Sequence, residues 1–276
     1  MADILTLVFR TFMSHSGLKR DLTVSPPTCS TLVVGDHSIS RSVLLLAAVT
    51  AAAEMGIKVM FFTQTQIQSL PVSLQRCVPN LSPESLKKIK FSYPRTVEEL
   101  LQQVASLHEP TNTSPTPPSL IIVDRLESFL SGPGGGSQSG FHPMEQSCAA
   151  HLAALLCDTA AFLTQVLEQR GSSSAPCRII ASFLSEVNIG HTGGDPSATD
   201  PILDVLNRYF QVRCTLDQDR GYQAAAAAPQ EVWHVYFSGR GITDSSFTKD
   251  CGNSSGVAQE WQLFIFPDGF MEFKLA

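Results

Sequence analysis

The stretch from Thr31 to Ser42, Thr-Leu-Val-Val-Gly-Asp-His-Ser-Ile-Ser-Arg-Ser, constrains this chain most, because it runs straight into the apolar segment Val43 to Val49. Four β-prone residues, a glycine, a short polar loop and a hydroxyl residue opening a helix are the layout of a phosphate-binding loop. In such a loop backbone N–H groups and a helix N-terminus face an anion. Against the pattern G-x-x-x-x-G-K-[ST], Gly35 is the first glycine and Ser42 the hydroxyl, while Ser40 stands for the second glycine and Arg41 for the lysine. The same letters also describe a strand, a Ser-capped turn and a buried helix that hold no ligand.

Periodicity supplies the surroundings. Val43 to Met55 is apolar almost all round, which predicts a buried helix stopped at Gly56, and Lys58 to Thr63 predicts a second buried strand. Ile89 to Tyr93 reads as a short strand, Val97 to His108 as an amphipathic helix, and Leu120 to Val123 as a buried strand ending in Asp124. A long helix over Ala149 to Arg170, a strand over Arg178 to Phe183 and a helix over Pro201 to Phe210 follow. Beyond them, Gln211 to Leu216, Val232 to Phe237, Trp261 to Phe266 and Phe270 to Leu275 alternate like strands, the last two joined by a turn at Pro267-Asp268-Gly269. The fold class expected is α/β: a mostly parallel sheet flanked by helices, with an antiparallel C-terminal edge. Residues 1–30 form an N-terminal arm that docks on the core or on a partner, and 31–276 form one domain with mobile loops near 109–118, 131–143, 185–200 and 238–259. The strands after Trp261 are expected to leave an uncovered edge.

A net charge of −6 gives no general attraction to nucleic acid, so any DNA contact needs a local patch. Lys87, Lys88, Lys90 and Arg95, interleaved with Phe91 and Tyr93, are the candidates: the cations would follow a DNA backbone and an aromatic would stack a base. The alternative is a solvated strand edge with its aromatics in the core. Seven cysteines without a C-x-x-C predict a reducing compartment. No signal-peptide pattern follows Met1 and no stretch of 18 uninterrupted apolar residues exists, so a soluble, intracellular protein with no membrane role is expected. Cys148 and His151 provide two ligands at helical spacing, short of a zinc site, and no zinc is expected in this chain.

Asp124 occupies the position from which a strand-end aspartate holds Mg²⁺ opposite the loop hydroxyl, here Ser42. Other parts of that chemistry are altered. Gln64 stands where a glutamate would activate water, and an amide cannot accept that proton. The planar guanidinium of Arg41 does not reproduce a lysine's point contact. Asp36 puts a carboxylate inside the loop; facing a phosphate at about 6 Å it would cost roughly 3 kcal/mol at an effective dielectric near 20. ATP with Mg²⁺ is therefore a weak expectation, and no residue is assigned as catalytic. Phe273-Lys274-Leu275-Ala276 matches the F-x-x-A pattern of recombinase docking, although a chain with 16 phenylalanines makes about one such match by chance.

Four further stretches carry a resemblance: Leu86 to Pro94 (LKKIKFSYP), Leu120 to Leu130 (LIIVDRLESFL), Leu155 to Phe162 (LLCDTAAF) and Leu206 to Phe210 (LNRYF). With the degraded loop they resemble the SWIM-type zinc-finger-associated family of the animal Shu complex, distant RecA-like recombinase paralogues, over about Thr31 to Phe273. The resemblance implies a RecA-like P-loop core. It also implies a nuclear factor for homologous recombination and DNA repair that pairs with a SWIM-domain zinc-finger protein, binds single-stranded DNA and supports recombinase filaments. Family members are described as ATPases with an intact loop, from which Ser40 and Arg41 depart. Three readings follow: a binding module with a degenerate nucleotide site, a DNA-stimulated ATPase of the same complex, and a P-loop-type regulator with no DNA role.

Overall fold

β1 (Ser30–Val34) is buried along its whole length, as a strand with neighbours on both sides and both faces covered must be. The computed structural model describes residues 4–13, 30–68, 82–109, 116–131, 143–170, 176–184, 200–222, 229–239 and 260–276. Most of the loops expected to be mobile lie outside these residues. Helix α1 (Ile4–Thr11) precedes β1, and then come α2 (His37–Ala53), β2 (Val59–Phe62), α3 (Pro83–Leu86), β3 (Ile89–Ser92) and α4 (Val97–Ala105), which a 3₁₀ turn extends to His108. β4 (Leu120–Val123), α5 (Leu126–Leu130), α6 (Pro143–Gln169), β5 (Arg178–Phe183) and α7 (Pro201–Tyr209) complete the alternating part, and β6 (Val212–Gln218), β7 (Glu231–Ser238), β8 (Glu260–Ile265) and β9 (Met271–Leu275) follow as consecutive strands.

These strands form one sheet in the order β3-β2-β4-β5-β1-β6-β7-β8-β9. The six from β3 to β6 are parallel, and β7, β8 and β9 are added antiparallel. This is the RecA-like architecture expected: β1 and β4, which carry the loop glycine and Asp124 at their carboxyl ends, are separated by β5 alone.

Alternate strand residues feed two cores. Val33, Phe61, Ile122 and Ile180 face α2, whereas Leu32, Val34, Met60, Phe62, Ile121 and Ile179 face α4, α5, α6 and α7. α2 is apolar all round because it lies between the sheet and α1. It stops where Gly56 turns left-handed at φ +68° and Ile57 N–H reaches back to the carbonyl of Ala51. Among the described helices α6 is long and apolar enough to cross a bilayer by length and composition, yet Leu152, Leu156, Leu163 and Leu167 are packed into the second core.

The described part of the arm, residues 4–13, docks on the core of this same chain. Ile4, Leu5, Val8 and Phe9 are at most 1% exposed, and the Phe9 ring stacks on Phe273 with centroids 4.4 Å apart while touching Phe237 and Trp261 at 5.6 Å. The edge expected to be open after Trp261 is partly closed: Phe273 N–H donates to the Phe12 carbonyl at 3.1 Å and Met13 bridges Phe273 in parallel. Phe273 is fully buried, so the F-x-x-A match is core packing and presents no phenylalanine for docking.

Candidate functional site

The loop after β1 is shorter than the motif requires. α2 begins at His37, so Gly35 and Asp36 alone separate strand from helix, and Ser40, Arg41 and Ser42 lie inside the helix rather than before it. Ser40 is 1% exposed and its N–H is already bonded to the Asp36 carbonyl at 2.9 Å. The Asp36 carboxylate caps the helix, accepting from Ser38 N–H at 2.8 Å and from the Ser38 hydroxyl at 2.6 Å. That hydroxyl bond first, with help from the Ser38 N–H and the neighbouring His37, holds the Asp36 carboxyl below the usual carboxylate range. A negative group of the chain itself thus sits at the helix N-terminus, where a phosphate-binding loop would receive its anion.

Gly35 has a different reason to be glycine. A Cβ there would come within 2.8 Å of the Leu216 Cβ and 2.9 Å of its carbonyl oxygen, so the residue lets the chain leave β1 against β6. The Ser42 hydroxyl donates back to the Ser38 carbonyl at 2.9 Å, one helical turn earlier.

Arg41 and Asp124 meet directly. Arg41 Nε donates to Asp124 Oδ2 at 2.8 Å, and the aspartate side chain is fully buried while the arginine retains 24% exposure. Thr63, at the end of β2, donates its hydroxyl to the same oxygen at 3.0 Å, and Ser182, near the end of β5, donates to Oδ1 at 3.3 Å. Three donors from three elements therefore satisfy the buried carboxylate. Ser182 Oγ also accepts Arg125 N–H at 2.8 Å, which fixes the corner where Arg125 takes a left-handed φ of 62°. No motif marks Thr63 or Ser182; the signal each carries in the sequence is a hydroxyl residue at the carboxyl end of an apolar strand.

Gln64 acts as a clamp. Its Nε2 donates to the Arg95 carbonyl at 3.1 Å and to the Ser128 carbonyl at 3.2 Å, tying the ends of β2 and β3 to α5. Arg41 and Ser42 line a shallow cavity of about 370 Å³ with Thr65, Gln66 and Gln68. The fit to ATP with Mg²⁺ is poor on these observations: the helix N-terminus is capped by a carboxylate, the second glycine position is buried within a helix, and the cation is bonded to the metal-holding aspartate.

The basic stretch divides in two. Lys87, Lys88 and Lys90 line a cavity at the amino ends of β2, β3 and β4, with Lys87 also paired to Glu84 at 2.8 Å. Arg95 lies past the carboxyl end of β3, its N–H bonded to Glu99. Phe91 packs on Phe61 at 5.3 Å on the α2 side and is not presented for stacking with a base, while Tyr93 is 39% exposed. Cys148 and Cys157 pack against the second core, and burial raises the Cys157 thiol above its usual range and Cys177 to about 12.

The sheet order, the capped helix after β1 and the aspartate ending β4 define an α/β protein of the RecA-like class with a remodelled phosphate loop. No family model matches the chain. The protein named ATPase SWSAP1 of Mus musculus is 34% identical over 218 residues, spanning 75% of this chain and 68% of that protein. Its namesake in Homo sapiens is 31% identical over 222 residues, spanning 76% and 85%. The chain belongs to the SWSAP1 family. Among solved structures, a KaiC-like protein of Pyrococcus horikoshii aligns over 90% of both chains with a TM-score of 0.48 and 11% identity.

Proposed function

We propose that this chain is a non-catalytic subunit of a nuclear recombination mediator, acting in homologous recombination and DNA repair. It binds single-stranded DNA and a SWIM-domain zinc-finger partner to support recombinase filaments. Membership of the SWSAP1 family and the RecA-like sheet support the recombination-related role. The observation that carries the non-catalytic part is the Arg41–Asp124 pair at 2.8 Å, because the two residues best placed to contact phosphate and metal are spent on each other. Asp36 reinforces this by offering a carboxylate where the anion would bind. The DNA contact is assigned to Lys87, Lys88 and Lys90.

The second reading, an active DNA-stimulated ATPase, rests on the name that both relatives carry. Phosphate release by the full chain, alone and with a co-expressed SWIM-domain protein and single-stranded DNA, separates the two. Turnover well below about one per minute is expected, since loss of a general base alone costs 10² to 10⁴ in rate. Several turnovers per minute, abolished in a folded Asp124→Asn variant, would replace the binding module with the ATPase.

A further inference from the structure

Five cations converge at the amino ends of the parallel strands, on the face covered by α4 and α6, and one of them, Lys87, is paired with Glu84. Lys58 leads into β2, Lys88 and Lys90 flank the start of β3, and Arg170 follows α6; with His108 and Phe162 they line a cavity of about 640 Å³. One carboxylate, Glu109, shares the lining. Beyond the Lys87–Glu84 pair, four positive groups against one negative make a local basic site in a chain whose net charge is −6. Lys90 is exposed and Lys88 half-buried, and Lys90 alternates on β3 with Phe91, which packs in the α2-side core, so the lysine is directed to the cavity face.

The cavity also has an aromatic wall. The His108 ring stacks on Phe162 with centroids 4.5 Å apart and planes 15° from parallel, and a 2.9 Å hydrogen bond between His108 Nε2 and the Thr159 hydroxyl fixes the ring. Both rings are half-buried, which makes them a preset platform rather than two mobile side chains. Cations beside a fixed aromatic face are the arrangement that holds a phosphate and a base together. The volume falls in the range of small-ligand sites. Strands of four residues span about 13 Å, so the cavity lies at the opposite end of β2, β3 and β4 from Asp124 and shares no residue with the Arg41 site.

We propose that this cavity is a nucleotide-phosphate site, with Lys88 and Lys90 holding the phosphate ester and the His108–Phe162 pair receiving the base. The nucleotide is either one residue of a single strand of DNA or a free mononucleotide, and only the first source rests on the DNA-binding reading above.

Titration of the full chain with fluorescein-labelled oligo(dT), an abasic strand of equal length and dTMP tests this, using wild type, Lys88→Ala/Lys90→Ala and, as a control on the far edge of the sheet, Lys274→Ala. The double variant should bind oligo(dT) about tenfold more weakly at physiological salt, with the log–log salt slope shallower by about 1.4, as expected for two lost phosphate contacts on a single strand. Lys274→Ala should stay within about twofold of wild type. The abasic strand should bind at least about fivefold more weakly than oligo(dT) to wild type if the ring pair receives a base. Binding of dTMP that the double variant loses would identify the free nucleotide as a ligand, and would keep the site even if oligo(dT) failed to bind and the DNA reading fell. Oligo(dT) binding unchanged in the double variant would overturn the site while leaving the DNA reading standing. Failure of both oligo(dT) and dTMP to bind would overturn both.

Discussion

Asp36 and Arg41 show how two single residues remodel a phosphate site. As a helix cap Asp36 is expected to contribute about 1 kcal/mol, so Asp36→Ala should lower unfolding stability by that amount at neutral pH. Because its carboxyl titrates below the usual range in the folded chain, this contribution is present above the unfolded value near 3.9 and is lost as pH falls through the lower folded value. Denaturation of both proteins from pH 7 to 3 should therefore show a constant gap that narrows below about pH 4; a gap that widened in acid would contradict the cap. Arg41→Ala strands a fully buried carboxylate with only two hydroxyl donors, at a cost of about 3 kcal/mol, the low end for a broken buried pair because Arg41 is part-exposed. Adding Asp124→Asn should restore part of that loss. Additive single effects in the double-mutant cycle would mean that the pair is not coupled. Cys177, buried with its thiol pushed up to about 12, should resist alkylation until the chain unfolds.

At the scale of elements, the alternating strands and helices were legible because each is a local pattern. β2 and β4 are unbroken apolar runs, β7 and β8 alternate, and Gly56 marks the end of α2. What was not legible depends on contacts distant in sequence. Asp36, His37 and Ser38 suit a six-residue loop as well as a capped helix start, and the choice is made by the Gly35 backbone passing Leu216, 181 residues later. The same holds for the Thr63 and Ser182 donors that satisfy Asp124. Gly35→Ala tests the point: the added Cβ meets the β6 backbone at 2.9 Å, and a loss of about 1–3 kcal/mol is expected even though no ligand is involved. A glycine kept for phosphate approach alone would tolerate alanine without loss of stability. The docking of α1 was similarly hidden, since its apolar stripe does not say which surface covers it. Phe9→Ala removes a ring with three aromatic neighbours and should cost about 3–5 kcal/mol by chemical denaturation, whereas a partner-binding arm would leave the isolated chain unaffected.

For the whole molecule, the carboxyl ends of the parallel strands hold a self-neutralised pair while their amino ends gather cations, so charge is distributed along the strand axis rather than across the sheet. Charged residues make up only 16% of the chain, and Met144 at the start of α6 is 76% exposed. On the proposed function, a SWIM-domain partner covers apolar surface of this kind. Co-expression should raise soluble yield and give a stoichiometric complex on size exclusion; a monodisperse monomer with full DNA binding in the partner's absence would argue that the chain is self-sufficient.

The stacking of Phe9 on Phe273 also has a temporal side. The two rings are separated by 264 positions, and at about 5–20 residues per second a ribosome needs roughly 13–53 s to make the second after the first. Throughout that interval α1 has been synthesised but its docking surface on β7, β8 and β9 is still incomplete. The helix has α2 to pack against early, but its aromatic contacts are complete only when the last strand emerges. Closure of this core is consequently a late event of biosynthesis, and a ribosome-bound chain stalled before Met271 should leave Phe9 open to proteolysis that the released protein resists.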